Sequence, residues 1–134
     1  MINRLTDTLA FQAQALTLRA ERQRVIASNI ANADTPGYQA REMDFAQALK
    51  QASGALHAPP ALAVSQPGHL AGVPGARAEA GLVYAIPSQT NLDRNTVDMD
   101  RERASFADNA IKYEATLRFI NASVRTQLSA ITGQ

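Results

Sequence analysis

"SNIANADTPGYQ", residues 28–39, ends an apolar helical pattern with two asparagines three apart and then runs into Thr-Pro-Gly. Asparagine is a poor helix-interior residue because its amide competes for nearby backbone groups. Pro36 disfavours helix at Thr35, and Pro36-Gly37 suits the central positions of a type II turn, where Gly tolerates a positive φ. The stretch therefore ends one helix and turns the chain, which makes Asn29, Asn32, Asp34, Thr35, Pro36, Gly37 and Tyr38 the first candidate site residues. Asn29 and Asn32 each carry a donor and an acceptor on one amide. At a helix–helix contact such groups cost stability unless paired, but they fix register and partner choice. An ordinary helix end followed by a turn is the plainer reading of the same residues.

Upstream, residues 2–33 hold Leu5, Leu9, Leu16, Ile26 and Ile30 at helix-compatible spacing with no Gly or Pro among them. Downstream, "REMDFAQAL" (41–49) offers Met43, Phe45 and Leu49 to neighbours. Residues 53–87 then contain five of the six prolines and five of the seven glycines, so they read as loop. Only "LVYAI" (82–86) alternates like a strand there. The second helical zone, 96–131, carries the clearest periodicity. Phe106, Ala110, Tyr113, Leu117, Ile120 and Val124 step by 4, 3, 4, 3, 4, and Leu128 extends the run after a slip. Asn95, Asp98 and Asp100 supply capping oxygens at its start, and Gly133 a C-cap at its end.

The expected fold is mainly α: long terminal helices pairing as a coiled coil around a short irregular, strand-containing middle. Its expected divisions are 1–52, 53–94 and 95–134. Such narrow seams serve packing between chains or an intramolecular hairpin, and periodicity alone leaves both open.

Charge excludes several functions. Thirteen basic and twelve acidic side chains nearly cancel, and residues 1–49 carry five of each sign. Nothing in that balance favours nucleic acid or an anionic membrane. The absence of cysteine removes disulfides, thiol nucleophiles and thiolate metal sites. His57 and His69 lie in the Pro/Gly-rich middle, away from any nucleophile in sequence, and an enzyme would need one of them to meet a carboxylate such as Glu79. "DMDRE" (98–102) lacks the Gly and distal Glu of a calcium loop. Arginines 19, 22 and 24 against Glu21 read as a solvated or salt-bridging face. No catalytic, cofactor or metal residues are expected, nor a small-molecule substrate. The longest uncharged stretch, 51–76, is broken by Pro and Gly, so no membrane span is expected, and the N-terminus lacks the apolar core of a signal peptide.

"ASNIANADTPGYQAREMDF" (27–45) resembles the N-terminal signature of the bacterial flagellar rod and hook axial protein family. "NTVDMDRERASFADNAIKYEATLRFI" (95–120) resembles that family's C-terminal segment. With "FQAQALTLRAERQRVI" (11–26), the likeness covers well over half the chain. It implies a structural subunit of the basal-body rod, at a proximal position because the middle is too short for a large inserted domain. It also implies export without cleavage by the flagellar type III apparatus, and assembly through the terminal helices into a helical tube in the periplasm. The partners implied are copies of itself, other rod proteins and the adaptor joining rod to MS ring. A helical adaptor or type III substrate that never enters a filament is the alternative.

Overall fold

The computed structural model describes residues 2–56, 82–87 and 92–133. Their elements are α1 (Ile2–Ala31), β1 (Arg41–Met43), α2 (Phe45–Leu56), β2 (Leu82–Tyr84) and α3 (Met99–Thr132). The architecture is mainly helical, with long helices at either end and a short strand-containing middle. The side chain of Leu5, together with His57, His69 and Glu79, lies outside the described residues.

α1 and α3 lie side by side and antiparallel. Gln12 meets Ser123, Arg19 and Gln23 meet Asn109, and Asn32 meets Asn95, so numbers rise along one helix as they fall along the other. Asp98 starts α3, its carboxylate accepting from the Arg101 N–H at 3.2 Å and leaving Asp100 and Glu102 in the first turn, where the dipole favours negative charge. Gly133 closes it at φ 73°, its N–H donating to the Ser129 carbonyl at 2.9 Å.

Three boundaries differ from the sequence reading. The C-terminal helix begins at Met99 rather than near 95, because residues 95–98 are held extended by the contacts described below. The strand stops at Tyr84 rather than Ile86: Tyr84 faces Arg41, the first residue of β1, and past it one backbone bond, from the Ala85 N–H to the Ala40 carbonyl at 2.9 Å, is made before Pro87. The segment after the turn is a full helix reaching Leu56, past the expected limit at 52. Asp44 nucleates it, accepting from the Gln47 N–H at 3.1 Å. Phe45, Ala48, Leu49 and Ala52 then recur at helical spacing against α1.

The apolar core is small and sits where these pieces meet. Leu18, Met43 and Ala48 are buried, with Phe45, Leu49, Ala52 and Leu82 packed around them. The Arg19 guanidinium lies 4.3 Å from the Phe45 ring centroid, a cation–π contact that covers one edge of the cluster.

Candidate assembly turn and helix seam

The turn after α1 is built from backbone chemistry upward. The Tyr38 N–H donates to the Thr35 carbonyl at 3.2 Å, with Pro36 and Gly37 between them. Gly37 adopts φ 72°, the left-handed value that position i+2 of a type II turn requires. Its N–H reaches the Asp93 carbonyl at 2.8 Å, and the Thr96 N–H reaches the Tyr38 carbonyl at 3.1 Å. The turn is thus stitched to the segment that enters α3. Arg94 takes φ 57°, unusual for a side-chain-bearing residue, where the chain swings into that segment.

Asn29 is 1% exposed. Its Nδ2 donates to the Arg41 carbonyl at 2.7 Å, and its Oδ1 accepts from the Arg41 N–H at 3.0 Å. One amide therefore pairs with both backbone groups of one residue as a neighbouring strand would, fastening β1 to α1. The Tyr38 hydroxyl donates to the same Oδ1 at 3.3 Å. Asn32 works locally, its Nδ2 donating to the Ser28 carbonyl at 2.8 Å and its Oδ1 accepting from the Thr35 hydroxyl at 3.3 Å. Arg41 offers Asn29 a backbone N–H and C=O that are both free on that side, and Asn32 satisfies a carbonyl of its own last turn. Asp34, Thr35 and Pro36 are exposed.

The residue that ties this region together is Asn95, read from sequence only as a helix-start oxygen. It is 4% exposed. Its Nδ2 lies 2.9, 2.7 and 2.9 Å from the carbonyls of Asn32, Ala33 and Thr35. Its Oδ1 accepts from the Val97 N–H at 2.8 Å. The carbonyls left over at the end of α1 are capped by a side chain some sixty residues away. Thr96 adds a second link, its hydroxyl accepting from the Ala40 N–H at 2.8 Å.

Glu102 enters the α1–α3 contact beside this knot. Burial raises its pKa above the usual carboxylate value, and an amide hydrogen bond from Asn29 and the charge of Arg101 only partly oppose this. A raised folded pKa means that the folded chain holds the proton more tightly. This group's contribution is therefore fullest below the ordinary carboxylate pKa and is lost as pH rises through the folded value. Glu102→Gln should accordingly raise the thermal midpoint at pH 7 and flatten its decline between pH 4 and 7. Melting curves across that range check it, and a lower midpoint for the variant at pH 7 would count against it.

The seam residues divide. On α1, Ile26 is buried and Leu9, Leu16 and Ile30 are half-buried. On α3, Tyr113 and Ile120 are half-buried, Ala110 and Leu128 are exposed, and Phe106, Leu117 and Val124 remain 40%, 37% and 38% exposed. Only the Tyr113 and Ile120 edge of the apolar heptad is thus covered, and its other members stand to one side of the face that α3 turns toward α1. That face is the column Glu102, Asn109, Thr116 and Ser123, spaced seven apart and half-buried or buried. At 3.6 residues per turn, the column lies roughly 75° around the helix from the middle of the apolar stripe. Between the two helices the stripe borders an apolar groove of about 360 Å³, lined by Ala20, Gln23, Arg24, Ala27, Ala110 and Tyr113.

Two capped helices, a polar knot and an uncovered apolar stripe are the parts of a packing subunit. A family model described as "Flagella basal body rod protein" matches residues 9–39, the greater part of α1 with the turn. Along its length the chain is similar to the flagellar basal body rod protein FlgB of Proteus mirabilis strain HI4320, at 46% identity over 98% of each chain. It is also similar to FlgB of Salmonella typhimurium, at 43% identity over 99% of each. FlgB of Escherichia coli K12 is 44% identical, over 98% of this chain and 97% of the relative. The chain belongs to the FlgB family of flagellar basal body rod proteins.

Proposed function

We propose that the chain is a subunit of the proximal rod, exported unprocessed by the flagellar type III apparatus and packed into the rod's periplasmic tube through its terminal helices. The observation that carries this reading is the α3 stripe. Phe106, Ala110, Leu117 and Val124 hold a regular heptad pattern yet stay well exposed in the single chain, and burying them is worth about 25 cal/mol per Å² of apolar area. The same patch on every subunit, meeting a different patch on the next, gives an open helical array rather than a closed pair. Other copies, other rod proteins and the adaptor between rod and MS ring are the partners of this reading. The Asn29–Tyr38 turn and the knot around Asn95 serve it by fixing the angle at which one end of each helix leaves the other.

The test is intact-mass spectrometry on detergent-resistant basal-body particles from the source cells. A chain of the full 134 residues, with or without its first Met, is the expected species. A chain missing from those particles and confined to the cytosol would overturn the rod assignment in favour of a soluble adaptor.

A further inference from the structure

Three elements bring five charged side chains to one small cavity. Arg22 comes from α1, Arg41 and Glu42 from β1, and Arg101 and Glu102 from the first turn of α3. The cavity measures about 20 Å³, room for a single water. Ile26 and Met43, both buried, form part of its apolar wall. It exists only where α3 lies against α1 and β1. Its chemistry therefore belongs to the packed joint, not to helices that stand apart.

Glu102 is half-buried in that joint. An ionised carboxylate offers about four acceptor sites. The Asn29 amide lies beside it, but that amide already gives one of its two protons to the Arg41 carbonyl at 2.7 Å. The charges around Glu102 are mixed. Arg22 on α1, Arg41 on β1 and Arg101 on α3 favour the ionised form, while Glu42 on β1 and Asp98 on α3 oppose it. Arg101 is also claimed by the rival carboxylate, pairing with Glu42 at 3.6 Å. Burial is the largest influence and favours the neutral acid. Before the helices meet, the same carboxyl stands in water and is ionised at neutral pH. A neutral carboxyl needs far less of the hydration that a one-water cavity cannot supply.

We infer that packing the start of α3 against α1 and β1 takes up a proton at Glu102, so that mild acid closes this joint and neutral pH loosens it. Glu42 and Arg101 tune the device, because the pair withholds a cation from Glu102 and leaves a like charge near it. The inference concerns the chain's own helices and stands apart from the rod reading. On that reading it adds that each subunit ordering as it joins the tube brings one proton with it.

Helicity of the full chain in dilute solution reads the closing, since helices with so little core beneath them order by pairing rather than alone. Circular dichroism from pH 7.5 to 5 stays above the range where ordinary carboxylates titrate. In the parent, helicity should rise as pH falls, the closing equilibrium shifting several-fold per pH unit and at most tenfold for one proton. Glu102→Gln, close in shape to the protonated acid, should show the parent's acid level at every pH and no slope. Glu42→Gln should keep the transition but move it to lower pH, since Arg101 is released to Glu102. His57 and His69 are present in all three proteins, so they cannot account for a difference among them. The inference is overturned if Glu102→Gln keeps the parent's slope or sits at the parent's neutral-pH level throughout. A parent without a slope would overturn it equally, as would a Glu42→Gln transition displaced to higher pH.

Discussion

Asn95→Asp should be the most destabilising single-atom change in the described structure. The replacement is isosteric, but the side-chain nitrogen that lies within 3 Å of three carbonyls at the end of α1 becomes a second oxygen. Donated hydrogen bonds turn into oxygen–oxygen repulsion at a position only 4% exposed. Leaving a buried charge unpaired costs about 3–5 kcal/mol, a large share of the roughly 5–15 kcal/mol that holds a domain of this size. The thermal midpoint should fall by about 10 °C or more. Asn95→Ala should cost less, about 1–3 kcal/mol, because the carbonyls lose a donor without meeting a charge. The order of the two variants is the discriminating result, and an Asp as mild as the Ala would mean that the amide is not buried as described. Acid gives a second check. A carboxylate facing carbonyls has a raised folded pKa, so the Asp variant should regain stability as pH falls and the group protonates. Thermal melts at pH 7 and pH 4.5 would show it.

Leu117→Asp should have the opposite profile, with little effect on the free chain and a total effect on assembly. Leu117 is 37% exposed in the single chain, so a charge there keeps much of its hydration and should shift stability by only about 0.5–1 kcal/mol. Inside a packed tube the same charge would be desolvated in every subunit, costing about 3–5 kcal/mol at each contact. Cells carrying the variant should be non-motile, with the chain present and helical by circular dichroism but absent from basal bodies. Normal motility would remove the α3 stripe from the assembly surface. A variant that fails to fold would show instead that Leu117 already belongs to the chain's own core.

What could be read from the sequence follows the range of the interactions. The Pro36-Gly37 turn was legible because its chemistry is local: Gly37 needs a positive φ and Pro36 supplies the fixed one before it. The existence of two long helices was legible because apolar spacing reports helix directly. The partner face of α3 was not. A hydrophobic pattern marks the stripe, whereas the contact made is polar, and nothing in Asn109 or Ser123 as letters distinguishes a buried residue from a solvated one. Asn95 was hidden for another reason. Its acceptors sit 60 to 63 positions away, so only the fold brings them together. Asp44 could have signalled α2, since it stands as an N-cap three residues before Gln47, but the Gly-rich stretch beyond drew the reading toward loop.

The distribution of hydrogen bonds also gives the molecule two unlike poles. At one, Asn29, Asn95, Thr96 and the backbone of the turn clamp α1, β1 and the entry to α3 together. At the other, the last side-chain hydrogen bond described between the start of α1 and the end of α3 is the long one from Gln12 to Ser123. Mechanically this is a tuning fork: a stiff base and two long tines whose tips bend cheaply. Strain applied at the tips is absorbed there, and the angle set at the base does not change.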